Sequence, residues 1–165
     1  MPQNDQALLT RLKDSGLEFV VIGGVCAVYH GVPVATFDLD ICCPFGEDNV
    51  RRIESAVKDL HPVHRLTANK LPLEQTRSSF ASLKNLYLQT DLGKLDCLSE
   101  VAGLGGYGQV LQQSISHTMS FGEFSMLNLD ALIAAKAAVG RGKDLDAVKL
   151  LLAIKERKTQ QKDLS

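Results

Sequence analysis

Two aspartates, Asp38 and Asp40, stand one residue apart in the apolar run A-T-F-D-L-D-I. Strand side chains alternate between faces, so both carboxylates lie on one face while Phe37, Leu39 and Ile41 point to the other and anchor the strand from behind. At that spacing the charges repel, and each carboxyl tends to keep its proton unless a cation sits between them. A hard divalent ion such as Mg²⁺, which takes oxygen ligands, turns the pair into a metal site. The same pattern also arises without any ligand on the wet face of a half-exposed antiparallel strand. Two other stretches bear on the choice. Upstream, Val21-Ile22-Gly23-Gly24 closes one strand and opens a short helix, where bare backbone N–H groups can receive a phosphate. A tight strand-to-helix turn takes glycine for steric reasons as well. Downstream, Asp96 in K-L-D-C-L is another acid inside an apolar strand. Three carboxylates on neighbouring strands are what two metal ions need to clamp a triphosphate and activate an attacking hydroxyl.

Cations that could hold such a triphosphate lie near the C-terminus. Leu129, Leu132, Ile133 and Lys136 fall at i, i+3, i+4 and i+7, so Lys136 continues a buried stripe and either meets an anion there or snorkels to water. Arg141 and Lys143 fall between two helices; they either contact phosphate or the acceptor, or complement the carbonyl end of the preceding helix. Asp144 most simply caps the next helix.

Other patterns point away from chemistry. G-L-G-G-Y-G, Gly103 to Gly108, satisfies G-x-G-x-x-G, and Glu123 stands where a ribose-binding acid would. Only Y-G-Q-V-L-Q-Q-S separates these glycines from a hairpin, and the fingerprint needs a strand, a helix and a parallel strand. His61 and His64 are interrupted by Pro62 and joined by no further Cys or His, which argues against a zinc site. No G-x-S-x-G occurs, and no cysteine has a nearby histidine with an orienting acid. The four cysteines, Cys26, Cys42, Cys43 and Cys97, lack C-x2-C spacing and read as reduced core thiols.

The elements that must position these residues follow from periodicity. Ala7, Leu8 and Leu12 mark a helix that Gly16 stops, before the strand L-E-F-V-V-I-G-G. Gly24 to Gly31 reads as a short helix, and Pro33 leads into the strand carrying the aspartates. Val50, Ile53, Val57 and Leu60 mark an amphipathic helix ending near His61-Pro62. Residues 63–81, with Arg65, Lys70 and Arg77, carry no assignable pattern and read as a mobile loop. N-L-Y-L-Q-T and G-K-L-D-C-L-S-E-V form one hairpin, and H-T-M-S-F-G-E-F-S-M-L a second that turns near Gly122. Asn128 caps a helix that Gly140 stops; D-L-D-A-V-K-L-L-L-A-I-K begins another. From about residue 156 the chain is a charged, frayed tail.

At 165 residues and 45% hydrophobic content, the chain suits one domain spanning 1–165. Eighteen basic and nineteen acidic side chains leave a net charge of −1, so no global field draws it to nucleic acid or a membrane. A polar start and the lack of any long apolar run predict a cytoplasmic protein.

Gly23-Gly24, thirteen intervening residues, Asp38-Leu39-Asp40 and Asp96 on a later strand resemble the motif of the DNA polymerase β-like nucleotidyltransferase superfamily. That motif is an apolar residue, G-G or G-S, a spacer of about that length, D-x-D or D-x-E, and a third acid. L-I-A-A-K and G-R-G-K-D-L are similar to the tail of the small bacterial nucleotidyltransferases related to abortive-infection toxins, so the resemblance spans nearly the whole chain. It implies an α/β (α+β) nucleotidyltransferase fold: a short mixed β-sheet with helices packed on one side and C-terminal helices. It implies two Mg²⁺ ions, with Mn²⁺ as a substitute, held by Asp38, Asp40 and Asp96, and Asp96 also as base for the acceptor hydroxyl. Gly23-Gly24 becomes the phosphate-approach turn, Gly24 standing where many relatives carry serine, and Lys136, Arg141 and Lys143 become the nucleotide-binding cations. The implied activity moves a nucleoside monophosphate from a triphosphate such as ATP to an acceptor hydroxyl on RNA or tRNA, a protein or a small molecule. Relatives suggest a toxin–antitoxin or phage-defence setting with a cognate antitoxin. The alternative is a nonenzymatic module that keeps the fold and binds a partner protein or a nucleotide.

Overall fold

The computed structural model describes residues 3–164. Helix α1 (Asp5–Asp14) starts where the Asn4 side chain accepts a hydrogen bond from the Ala7 amide at 3.1 Å, and it buries Leu8, Leu9 and Leu12 along one stripe. Strand β1 (Val20–Ile22) is buried throughout and runs straight into helix α2 (Gly23–Tyr29). Strand β2 (Asp38–Cys42) carries the paired acids, and helix α3 (Glu47–Val57) follows with Val50, Ile53 and Val57 wholly buried. A 3-10 turn and His61 in the left-handed region end that helix before Pro62. Next come β3 (Val63–His64), β4 (Asn85–Thr90), β5 (Gly93–Leu98), β6 (Glu100–Val101) and β7 (Gly105–Gly106), then α4 (Tyr107–Gln112). The chain closes with β8 (Ser114–Met119), β9 (Gly122–Leu127), α5 (Leu129–Val139) and α6 (Gly142–Asp163).

Seven strands form one mixed sheet in the order β3-β4-β5-β2-β1-β9-β8. Strand β2 is antiparallel to β1 on one side and parallel to β5 on the other. The two expected hairpins are the antiparallel pairs β4–β5 and β8–β9. Alternation along the strands sorts the faces. Leu39, Ile41, Leu86, Leu88, Leu95 and Cys97 are at most 1% exposed and share one core with Leu8, Leu9 and Leu12 of α1 and Val50 and Ile53 of α3. Burying each such leucine is worth about 1.5–3 kcal/mol, so the face of β2 that holds the acids is fixed by the face that does not. Helices α1 and α3 pack against each other, and α5 against α6.

Several expectations are corrected. Phe37 precedes β2 and is 74% exposed, so of the three expected anchors Leu39 and Ile41 serve and Phe37 does not. Residues 63–81 are not patternless: they hold β3 and two 3-10 turns, with Leu73 buried in the core. Strand β5 stops at Leu98, and Glu100–Val101 pairs instead with Gly105–Gly106 in a separate two-stranded sheet. The glycine run 103–108 is therefore a turn, a strand and the start of a six-residue helix, with no βαβ unit. Helix α6 continues to Asp163, past the point where composition suggests fraying, although its last turns are exposed.

Candidate active site

Each acid is placed by a strand. Asp38 and Asp40 share a face of β2 by the two-residue repeat, and the parallel register sets Asp40 directly opposite Asp96 of β5. One carboxylate oxygen from each of Asp38, Asp40 and Asp96 lies within 4.8 Å of the others. The acids that the sequence scatters over 59 positions thus meet at one point, at a separation comparable to that of oxygen ligands around a shared divalent cation.

Gly23 is what lets them do so. Its φ of +67° is in the left-handed region, and a Cβ built on it would stand 2.2 Å from Asp40 Oδ2. Only glycine leaves room for that carboxylate. A Cβ on Gly24 would stand 3.2 Å from the Thr36 methyl, so the space that a serine needs is already partly filled.

The cluster is electrostatically tense. Burial, reinforced by the charges of Asp38 and Asp96, pushes Asp40 up to about 8, and Lys136 opposes that rise. Asp96, 6% exposed, is likewise raised by burial, against the pull of Arg65. Arg65 Nη2 donates to Asp96 Oδ2, and its guanidinium lies 5.4 Å over the Tyr87 ring. Among the described residues, Asp96 Oδ1 and Arg65 Nε are buried side-chain atoms with no hydrogen-bond partner. An unpartnered carboxylate oxygen beside two further carboxylates fits a divalent cation, whose oxygen ligands would be Asp38, Asp40 and Asp96.

The remaining predicted residues sit around this centre. Lys136 is half-buried on α5, and its charge bears on both Asp40 and Asp144. Arg141 is exposed at the entry to α6 and is influenced by Asp40 and Asp38. Its Nε donates to Asp144 Oδ2 at 2.7 Å. Asp144 is not the cap expected of it: Arg141 holds the cap position, and Asp144 is buried in the first turn. Burial raises Asp144, but the Arg141 hydrogen bond and charge outweigh it and hold the carboxyl below its usual range. Lys143 is exposed, and its side chain makes no hydrogen bond or ion pair among the described residues. All four cysteines are free and buried, and burial lifts Cys26, Cys42 and Cys43 to about 12, 11 and 12, away from nucleophilic use.

Arg65 is the residue that periodicity does not single out. Its partner is 31 positions away across β4, and no local signal in a run of scattered cations marks it.

The sheet order, the register and the acid cluster together define a nucleotidyltransferase fold. The chain superposes on a crystal structure of a Thermotoga maritima protein provisionally assigned as a nucleotidyltransferase, with a TM-score of 0.55 at 18% identity over 88% of each chain. It also superposes on ANT(2″)-Ia in complex with adenylyl-2″-tobramycin, with a TM-score of 0.54 at 14% identity over 88% of this chain and 84% of that one. The solution structure of the antibiotic-resistance factor ANT(2″)-Ia gives 0.52 at 12% identity, over 95% and 92% of the two chains. At these identities the likeness is one of fold. The sequence matches no protein-family model and no curated protein.

Proposed function

We propose that this protein is a metal-dependent nucleotidyltransferase that moves a nucleoside monophosphate from a nucleoside triphosphate, ATP among them, to an acceptor hydroxyl and releases pyrophosphate. The observation that carries the reading is the meeting of Asp38, Asp40 and Asp96 within 4.8 Å beneath a glycine that has no room for a side chain. Two Mg²⁺ ions, or Mn²⁺ in their place, held by those acids would polarise the transferred phosphoryl group and neutralise its charge. The chain's own residues do the rest. The Asp96 carboxylate takes the proton from the acceptor hydroxyl, while Arg65 keeps Oδ2 and so fixes its orientation. The freed oxygen bonds to the α-phosphorus as the bond to pyrophosphate breaks in line. Lys136, Arg141 and Lys143 hold the leaving pyrophosphate, and the Gly23-Gly24 backbone lets the phosphates approach.

The setting we propose is a bacterial toxin–antitoxin or phage-defence pair in the cytoplasm, with a cognate antitoxin as partner; it rests on L-I-A-A-K and G-R-G-K-D-L alone. Among the described residues no helix is long and apolar enough to cross a membrane. A second reading, a nonenzymatic module that binds a nucleotide or a partner protein, draws on the Arg65–Asp96 ion pair, because an arginine already balances one of the acids. Incubation with labelled triphosphates, Mg²⁺ and total cell RNA, protein and metabolites separates the two. Transfer predicts a labelled product that Asp40→Asn abolishes. Metal-dependent triphosphate binding without any product would favour the module.

A further inference from the structure

We propose, building on the transferase reading, that the acceptor hydroxyl belongs to a phosphate-bearing molecule, received on the sheet face that runs from Asp96 across β4 to β3. In-line displacement puts the nucleophile opposite the leaving pyrophosphate. Lys136 and Arg141 stand on α5 and at the start of α6, which pack together beside α2 at the β1–β2 end of the sheet, away from β4 and β3, and in the transferase reading they mark the pyrophosphate side. The other side of the acids is therefore the acceptor side.

The register fixes what that side presents. Tyr87 lies opposite Asp96, Lys94 opposite Asp38, and Gln89 opposite Lys94, so all of them share the acid face of the sheet. The Arg65 amide donates to the Tyr87 carbonyl, which extends the row Asp40, Asp96, Tyr87, Arg65 to the sheet edge. Lys94 is exposed, and Tyr87 and Gln89 are partly so.

Charge decides the class of acceptor. Residues 61–94 hold five cations, Arg65, Lys70, Arg77, Lys84 and Lys94, against two carboxylates, Glu74 and Asp91, in a chain whose net charge is −1. Asp91 is taken by His61. Among the described residues Lys70, Arg77, Lys84 and Lys94 form no ion pair, and Lys70 donates only to the Arg65 carbonyl. Asp5, near Asp38, is tied to Gln3 and Thr36. The unpaired cations on this side suit an anionic acceptor, whereas a polyamine sugar such as tobramycin, cationic at neutral pH, would meet like charge.

Fluorescence anisotropy on the whole protein tests this with Mg²⁺ and a saturating non-transferable ATP analogue. The labelled probes are a short single-stranded RNA with a free 3′-hydroxyl, AMP, and tobramycin. At least one phosphate-bearing probe is expected to bind, with affinity falling steeply as salt rises and about tenfold or more in Lys94→Glu and in Lys70→Glu. RNA binding alone assigns a nucleic-acid end, and AMP binding alone a free nucleotide. Preference for tobramycin, failure of both phosphate-bearing probes, or indifference to both charge reversals overturns the proposal. Circular dichroism checks each variant, and Lys94→Gln replaces Lys94→Glu if the latter fails to fold. The analogue is titrated separately with Mg²⁺. If it binds and the acceptor probes do not, only this inference falls; if it does not bind, the transferase reading falls with it.

Discussion

Asp40 sits between two other carboxylates and beneath Gly23, and its burial makes ionisation costly: the pKa stands at about 8, against 3.8 for a free aspartate. Below that pH the metal-free protein keeps the proton, so an incoming cation has to displace it. Metal binding is therefore expected to tighten as pH rises towards about 8 and to level off above, which calorimetric Mn²⁺ titrations at several pH values will show. The sign for stability is opposite. A carboxyl whose folded pKa is raised contributes stability that is fully present below its unfolded pKa and is lost as pH rises through the folded one. Asp40→Asn removes the strained anion, so at about pH 8.5 the metal-free variant is expected to be more stable than wild type by roughly 1–3 kcal/mol in urea denaturation. At about pH 4 the two should coincide. An advantage over wild type no larger at high pH than at low would contradict this account of Asp40.

At the scale of elements, β2 and β5 matter because their parallel pairing converts a spacing of 56 residues, from Asp40 to Asp96, into direct opposition. Helix α5 brings Lys136 towards the acids, and Gly140 in the left-handed region turns the chain so that Arg141 meets the start of α6. Beyond that start, α6 does progressively less. Leu151 is buried and Lys155 pairs with Asp130 at 2.8 Å, but every described residue from Lys155 onward is exposed. Truncation after Glu156 is expected to change unfolding stability by less than about 1 kcal/mol and to leave metal binding intact. A loss of several kcal/mol in a denaturant titration would mean that the exposed end of α6 packs against something.

For the whole molecule, the proposed function would link binding at the three acids to folding stability. A ligand that binds only the folded state stabilises it by about 2.7 kcal/mol at a hundred times its dissociation constant. Mg²⁺ with a non-transferable ATP analogue is therefore expected to raise the unfolding temperature in a concentration-dependent way, and either component alone to raise it less. Asp38→Asn should remove the synergy between them. Equal shifts in wild type and variant would place nucleotide binding away from the acids.

Much of this was legible in the residues. The strand carrying Asp38 and Asp40, the glycines at its neighbour's end, the amphipathic α1 and α3, the two hairpins and the caps at Asn128 and Gly140 follow from local periodicity and turn chemistry. Those are short-range properties, and one sequence determines them. Convergence of the acids at 4.8 Å depended on a parallel register between β2 and β5, which no local pattern encodes. Arg65 was hidden for the same reason: β3 has two residues, too few for a period, and only the pairing of β3 with β4 carries the guanidinium to Asp96. Phe37 went the other way, because the strand expected from Ala35 starts only at Asp38, so its alternation does not reach Phe37. The sequence by itself determined which side chains were available to a metal and a phosphate. The tertiary structure alone decided that Asp96 would meet Asp38 and Asp40 on one side and Arg65 on the other, because strand order is set by the packing of the buried face.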